Sequence, residues 1–241
     1  MTQFCVRTLA VCLMLASAAV LVVAAPGEKK TSAKADAPAG ETVDVFEAMK
    51  NEQIDVKFIA MSATKANLVI ENKTNKPLTI QLPEAVAGMP VLAQVGGDAQ
   101  GVGGAAGGPF NIAPEKTRKI ELACLCLEHG KADPYSKMPY ELKPISALSD
   151  KPEVAALLVR YGKGDVSTQA AQAAAWHLQN GLSWKELAAK ELVDGRGLKT
   201  PYFSRREIAE GMKSADAAVA QAKALGKDTA SFESYSPGAA K

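Results

Sequence analysis

One stretch of the chain, KIELACLCL at Lys119–Leu127, marks the change from a strand pattern to a helix pattern. It is the last of several short segments in which apolar and polar residues alternate, as they do in β-strands. Successive side chains of a strand point to opposite faces. We therefore expect Cys126 to share a face with Cys124 and Leu122, and its two leucine neighbours to lie on the other face.

The segments before this stretch are typical of short strands separated by turns. We predict strands at 54–59, 66–72, 78–82 and 91–95. Residues 67–80 are expected to form a hairpin. Several strands at this spacing favour an N-terminal immunoglobulin-like β-sandwich over residues 43–148. The glycine-rich run at 96–108 lacks the Gly-Lys-Ser/Thr ending of a phosphate-binding loop, so we predict a flexible hairpin loop there.

Residues 149–226 carry helix-capping signals instead. Four helices are predicted, and their starting caps are Asp150, Ser167, Ser183 and Ser204. Glycines at the ends of three of them supply stop signals. The fold class is therefore predicted to be α+β, with a β-sandwich followed by a small helical domain of about four helices. Residues 227–241 are polar and rich in small residues, and we predict a disordered tail.

The N-terminus is typical of a secretory signal peptide over residues 1–24. Arg7 supplies the positive charge, an apolar run follows, and small residues precede the expected cleavage after Ala24. The polar residues 25–42 predict a disordered linker. Export predicts a secreted, periplasmic or cell-surface location. Two of the four cysteines lie in the signal peptide, and the two that remain are too few for a disulfide scaffold.

The charge balance excludes several classes of partner. The whole chain has a net charge of +2, and loss of Arg7 with the signal peptide leaves +1. Such a chain lacks the basic surface that nucleic acids or anionic membranes attract, so we expect neither partner after signal removal. No Ser/His/Asp hydrolase pattern, nucleotide-binding fingerprint or pair of catalytic carboxylates occurs in the sequence. We therefore predict no conventional enzyme and no cofactor.

Cys126 and Gln172 are the candidates for reactive chemistry. A thiol can attack a glutamine side-chain carbonyl and release ammonia, which leaves an internal thioester. Such a bond lasts only where water is excluded, and the apolar neighbours of Cys126 suit that need. Gln172 falls early in a predicted helix, and Trp176 lies on the same face four residues later, where it can shield the bond. Glu128 and His129 follow the cysteine and are the nearest candidates for acid–base assistance.

These motifs resemble the thioester domains of bacterial surface adhesins. The resemblance rests on LCLEHGK at 125–131, on LLVRYG at 157–162 and on QAAAW at 172–176. It implies covalent attachment to amines on a host or matrix surface. The threonine that usually precedes the glutamine is Ala171 here, and Thr168-Gln169 keeps that pair one turn earlier. Gln169 is therefore an alternative partner for Cys126.

The mature chain as a whole resembles a family of secreted proteins of planctomycete-type bacteria. The segments NKTNKPL at 72–78 and AAAWHLQNGLSWKEL at 173–187 carry that resemblance. It implies export and does not imply an activity.

Other interpretations of the same residues remain open. Cys124, Cys126 and His129, completed by His177, form a donor set suited to Zn²⁺ or Cu⁺. The two cysteines are also candidates for a strained disulfide. Finally, both thiols and Trp176 are of types that serve as ordinary core residues.

The sequence therefore predicts an exported protein of the cell envelope or exterior that acts by interaction. The sharper hypothesis is covalent capture of an extracellular protein or amine-bearing surface through a Cys126–Gln172 thioester. The alternatives are a non-covalent structural or adhesive module and a Cys/His metal-binding protein.

Overall fold

The computed structural model describes residues 40–91, 100–105 and 107–233, the last eight of them as backbone only. These residues belong to one compact unit of the chain. The predicted signal peptide at 1–24 and residues 25–39 of the predicted linker lie outside the described residues. Among the described residues, no helix is both long and apolar enough to cross a membrane.

The described residues form eleven strands and five α-helices. The strands are β1 Glu41–Asp44, β2 Ile54–Ser62, β3 Lys65–Asn72, β4 Leu78–Leu82, β5 Ala85–Pro90, β6 Val102–Ala105, β7 Gly108–Ile112, β8 Thr117–Cys126, β9 Tyr140–Pro144, β10 Glu191–Val193 and β11 Lys199–Pro201. The helices are α1 Val45–Lys50, α2 Pro152–Gly162, α3 Thr168–Asn180, α4 Trp184–Ala189 and α5 Arg205–Glu233.

Six strands close into an antiparallel barrel in the order β2-β3-β8-β6-β5-β9. The predicted immunoglobulin-like sandwich is therefore wrong. The predicted order of strands followed by helices is also only partly kept, because α1 lies between β1 and β2, and β10 and β11 lie between α4 and α5. The pairing of Phe58 in β2 with Tyr140 in β9 closes the sheet on itself. Closure pairs the strands at both ends of the sheet, whereas a sandwich keeps two open sheets.

A second, three-stranded sheet has the order β1-β4-β7, and it buries apolar residues together with the barrel interior. The predicted hairpin over residues 67–80 is wrong, because β3 pairs with β2 and β8 whereas β4 pairs with β1 and β7. Asn72 explains the change of sheet. Its amide donates to the carbonyls of Lys76 and Ile112, and its Oδ1 accepts from the backbone N–H of Thr74.

Part of the predicted glycine-rich loop at 96–108 is a barrel strand. Residues 102–105 form β6, which pairs with β5 on one side and with β8 on the other. Gly103 is closely packed there, because a Cβ at this position would lie 2.7 Å from Leu158 Cδ1 and 2.9 Å from Leu127 Cδ1, and both leucine side chains would have to shift. Of the predicted strand at 91–95, Val91 lies outside any strand and residues 92–95 lie outside the described residues.

The predicted helix starts at Ser167, Ser183 and Ser204 are confirmed. Ser183 and Glu186 form a reciprocal capping box, and Ser204 and Glu207 exchange the same pair of bonds. The predicted cap at Asp150 is wrong, since Lys151 occupies the N-cap of α2 without a side-chain bond. The last helix runs to Glu233, past the predicted end at residue 226 and into the predicted tail.

Strand β8 separates two apolar clusters. Leu122, Cys124 and Cys126 belong to the cluster that fills the barrel. Leu125 and Leu127 belong to the cluster formed with α2, α3 and α5. The predicted division of faces along this strand is confirmed. It places the backbone of Cys126 at the boundary between the barrel and the helices.

Candidate functional site

Cys126 and Gln172 meet, although 46 residues separate them in the sequence. The backbone N–H of Cys126 donates to Gln172 Oε1 at 3.0 Å, and Gln172 Nε2 donates to the carbonyl of Cys126 at 2.8 Å. The pairing of β3 with β8 ends at Lys65 and Ala123. The amide of Gln172 therefore satisfies a strand edge that β3 no longer covers. It is Gln172, and not the alternative Gln169, that makes this contact.

Both thiols of the barrel are free and buried. The thiol of Cys126 donates to the carbonyl of Ala63 at 3.7 Å, and that of Cys124 donates to the carbonyl of Leu122 at 3.7 Å. Burial raises the pKa of Cys124 to about 12. Burial also raises the pKa of Cys126, and the negative charges of Asp133 and Cys124 raise it further. Both groups are therefore protonated thiols at neutral pH.

Helix α3 brings Gln172 and Trp176 to this place because it is buried on nearly every side. Five alanines of α3 have no exposed surface, and Gln172 and Trp176 are only 3% and 6% exposed. Small side chains allow α2, α5 and β8 to approach the helix closely. The indole Nε1 of Trp176 is buried and has no hydrogen-bond partner among the described residues. An unpaired buried donor is costly and uncommon.

The two predicted acid–base residues are held by other groups. Glu128 accepts a bond from the backbone N–H of Gly101 at 2.6 Å and forms an ion pair with Lys131 at 2.6 Å. His129 lies edge-on to the ring of Trp176, with 4.7 Å between the ring centroids. The Nε2 of His129 lies 3.1 Å from Lys190 Nζ.

Lys190 and Tyr202 are site residues that the sequence analysis did not identify. They lie opposite each other at the base of the β10–β11 ribbon, where the Tyr202 N–H donates to the Lys190 carbonyl at 2.8 Å. Lys190 Nζ lies 5.3 Å from the centroid of the Trp176 ring and 5.3 Å from that of the Tyr202 ring. We call Trp176, Tyr202 and His129 the aromatic cage. Trp176 and His129 were named from the sequence for other roles, and Tyr202 was not.

Two residues of the aromatic cage have shifted pKa values. Burial raises the pKa of Tyr202, and the negative charge of Asp133 raises it further. Burial lowers the pKa of His129, and the positive charge of Lys190 lowers it further. Neutral His129 can therefore accept a hydrogen bond from the Lys190 ammonium through Nε2. Trp176 connects the aromatic cage with the Cys126–Gln172 contact, since it lies one helical turn from Gln172.

Asp133 is a second residue that the sequence analysis missed, and the loop after β8 positions it. Its Oδ1 accepts a bond from Gln100 Nε2 at 2.7 Å, and the Gln100 carbonyl accepts from the Tyr140 hydroxyl at 2.7 Å. The charge of Asp133 acts on both Cys126 and Tyr202. Nothing in the sequence around residue 133 distinguishes this aspartate from an ordinary loop carboxylate.

The predicted metal set does not assemble. Within the described part of the chain, no three His, Cys, Asp or Glu side chains lie close enough together to hold a metal ion. The ring of His177 stacks on Trp184 at 4.2 Å, and its Nδ1 bonds to the carbonyl of Leu182. His177 is therefore committed to the helical layer, away from the two barrel thiols.

Comparison with family models, with curated proteins and with solved structures gives no match to this chain.

Proposed function

We propose that this protein is exported and captures amines covalently through a thioester between Cys126 and Gln172. The observation that carries the proposal is the pair of hydrogen bonds between the Gln172 carboxamide and the backbone N–H and C=O of Cys126, which holds the carboxamide against the residue that bears the thiol. A pairing of these two residues was predicted from the motifs alone. No other glutamine contact with either cysteine is found among the described residues, so the chemistry is assigned to this pair.

Burial supports the same assignment. Cys126 is 2% exposed, Gln172 is 3% exposed, and Trp176 covers the next turn of the helix. A thioester hydrolyses when water reaches it, so a dry and apolar setting is a requirement of this chemistry. The thiol of the neighbouring Cys124 is engaged with the carbonyl of Leu122.

The reaction has two steps. In the first, the sulfur of Cys126 bonds to the side-chain carbonyl carbon of Gln172, the carbon–nitrogen bond breaks, and the thiol proton leaves with the nitrogen as ammonia. In the second, the nitrogen of an incoming primary amine bonds to the same carbon. The carbon–sulfur bond then breaks, a proton from the amine returns to the sulfur, and a stable amide joins the chain to its target.

The intact mass of the non-reduced mature protein tests the proposal. We expect a deficit of one ammonia, which methylamine converts to an adduct. Cys126→Ala should abolish both the deficit and the adduct. Cys124→Ala, which removes the neighbouring thiol from the same strand face, should leave both unchanged.

Two results would overturn the proposal. A mass equal to that of the plain sequence would leave Gln172 as a structural tie between α3 and β8. A deficit of two hydrogens, insensitive to methylamine, would indicate a Cys124–Cys126 disulfide.

A further inference from the structure

We infer that the aromatic cage is a binding site for a primary alkylammonium group, and that Lys190 occupies this site in the resting protein. As the entry position for the incoming amine, the site rests on the proposed thioester chemistry. As an ammonium-binding site, it stands on its own contacts.

The contacts around Lys190 Nζ are those by which proteins recognise an alkylammonium ion. Two aromatic rings, Trp176 and Tyr202, have their centroids 5.3 Å from the nitrogen, within the range of a cation–π contact. A third group, His129 Nε2, lies 3.1 Å away and accepts a hydrogen bond. A quaternary ammonium lacks the N–H that this bond needs, so the cage favours an amine that still carries protons.

The position of the aromatic cage links it to the acyl group. Lys190 Nζ lies over the ring of Trp176, and Trp176 is one helical turn from Gln172. An amine held where Lys190 Nζ lies is therefore one turn of α3 from the residue that carries the carboxamide.

Lys190 can leave without disturbing the core. Lys190, Tyr202 and His129 are half-buried, and every residue of the β10–β11 ribbon that begins after Lys190 is exposed. The lysine side chain is held by a single hydrogen bond and two ring contacts. An amine from solution competes with it for the same three groups, and Lys190 thereby limits access to the acyl site.

The ammonium site can be tested in Cys126→Ala protein, which is unable to form a thioester. The probe is n-butylammonium chloride, whose four-carbon chain and ammonium head group match a complete lysine side chain. In Lys190→Ala we expect a saturable shift of the Trp176 indole and His129 ring resonances in NMR spectra, relative to potassium chloride at equal ionic strength. Lys190→Met fills the aromatic cage with an uncharged chain and should show no shift. Lys185→Ala, at an exposed lysine of α4, should behave like the parent.

The role in capture can be tested with Cys126 intact, from the rate of n-butylamine adduct formation by mass. Lys190→Ala should raise this rate by about threefold to tenfold, the range that loss of a competing cation–π contact gives. The inference is overturned if n-butylammonium causes no resonance shift in Lys190→Ala, or if it causes the same shift in Lys190→Met. This conclusion does not depend on whether the thioester forms. If the shift appears and no variant forms an adduct, the ammonium site stands and the thioester fails. An equal adduct rate in wild type and Lys190→Ala would contradict the role of Lys190 as a competitor.

Discussion

The side chain of Gln172 makes the two hydrogen bonds that a residue of a neighbouring strand would otherwise make with Cys126. It pairs with both backbone groups of Cys126 at the point where β3 turns away. We expect Gln172→Ala to leave a buried N–H and a buried C=O unpaired, at a cost of about 1–3 kcal/mol for each group. Urea unfolding in a Cys126→Ala background measures this loss without interference from a thioester, because the contact involves only the backbone of residue 126.

Gln169→Ala is the matched control for this measurement. Gln169 lies on the same helix and is half-buried, and it does not contact Cys126. We expect its removal to change the free energy of unfolding by about 0.5 kcal/mol or less. Equal effects at the two positions would mean that the amide of Gln172 contributes nothing specific to stability.

The two thiols should be slow to react in the folded protein. The pKa of Cys124 is raised to about 12, and that of Cys126 is raised by burial and by Asp133. Iodoacetamide reacts with the thiolate, so at pH 8 we expect folded Cys124 to be alkylated far more slowly than the same residue in urea. Peptide mapping after timed labelling measures both rates. Fast labelling of Cys124 in folded protein would contradict the buried placement of this strand face.

The imidazole of His129 should report the position of Lys190. Burial, and then the charge of Lys190, lower its pKa from the ordinary value of 6.5. As the pH falls through this value, the unfolded chain takes up the proton first, so the free energy of unfolding should decrease below about pH 6.5. Lys190→Met removes one cause and should raise the His129 pKa in an NMR titration. Lys185→Met should leave the His129 pKa unchanged. If Lys190→Met also leaves it unchanged, Lys190 does not act on His129 in solution.

Sequence reasoning found only part of this site. Cys126, Gln172 and Trp176 could be predicted because each belongs to a short local motif with a chemical rationale. Lys190 and Tyr202 could not, because they come together only through the backbone pairing at the base of the β10–β11 ribbon. Asp133 is likewise identified only by the effect of its charge on the pKa of Cys126 and of Tyr202. Glu128 and His129 were predicted to assist Cys126 as acid–base residues, and in the structure their side chains are engaged with other groups.

At the scale of elements, three strands decide between a sandwich and a barrel. Strands β6, β5 and β9 complete the path from β8 round to β2, and none of the three was predicted. β6 consists of Val102–Ala105, and its two glycines are residues typical of loops. β9 carries charged residues and has only two buried positions. The helices were easier to predict, because their caps at Ser167, Ser183 and Ser204 are local signals that do not depend on partners.

The glycine of β6 at position 103 is a packing residue, which leads to a prediction. In Gly103→Ala the new methyl group would lie less than 3 Å from Leu158 and Leu127. We expect a loss of about 1–3 kcal/mol in the free energy of unfolding, as for other overpacked cores. Denaturant unfolding followed by circular dichroism gives the value.

Gly195 offers the matched control for this substitution. It lies in the ribbon turn, no atom lies within 4 Å of an added Cβ, and its backbone does not require glycine. Gly195→Ala should be neutral or raise stability by about 0.4–1 kcal/mol, because alanine restricts the unfolded chain. A neutral Gly103→Ala would contradict the close approach of α2 to the barrel.

At the scale of the whole molecule, one strand connects the two cores. Leu122, Cys124 and Cys126 of β8 lie in the barrel interior. Leu125 of the same strand and Leu127 directly after it pack against the helical layer. Unfolding of the helices would expose the outer face of β8 and break the bonds of Gln172 to Cys126. The sequence suggested two separate domains divided at residue 148, but these shared contacts lead us to expect a single cooperative unit.

Coincident unfolding is the prediction that follows for the whole molecule. Both tryptophans lie in the helical layer, at positions 176 and 184, so their fluorescence follows that layer alone. Hydrogen exchange of the β3 and β8 amides follows the barrel. Because β8 is buried against both layers, we expect the free energies from tryptophan fluorescence in urea and from exchange of the slowest β8 amides to agree. If tryptophan fluorescence is lost at a distinctly lower urea concentration than the one at which the β3 amides exchange, the helices detach first. The barrel would then be stable without them.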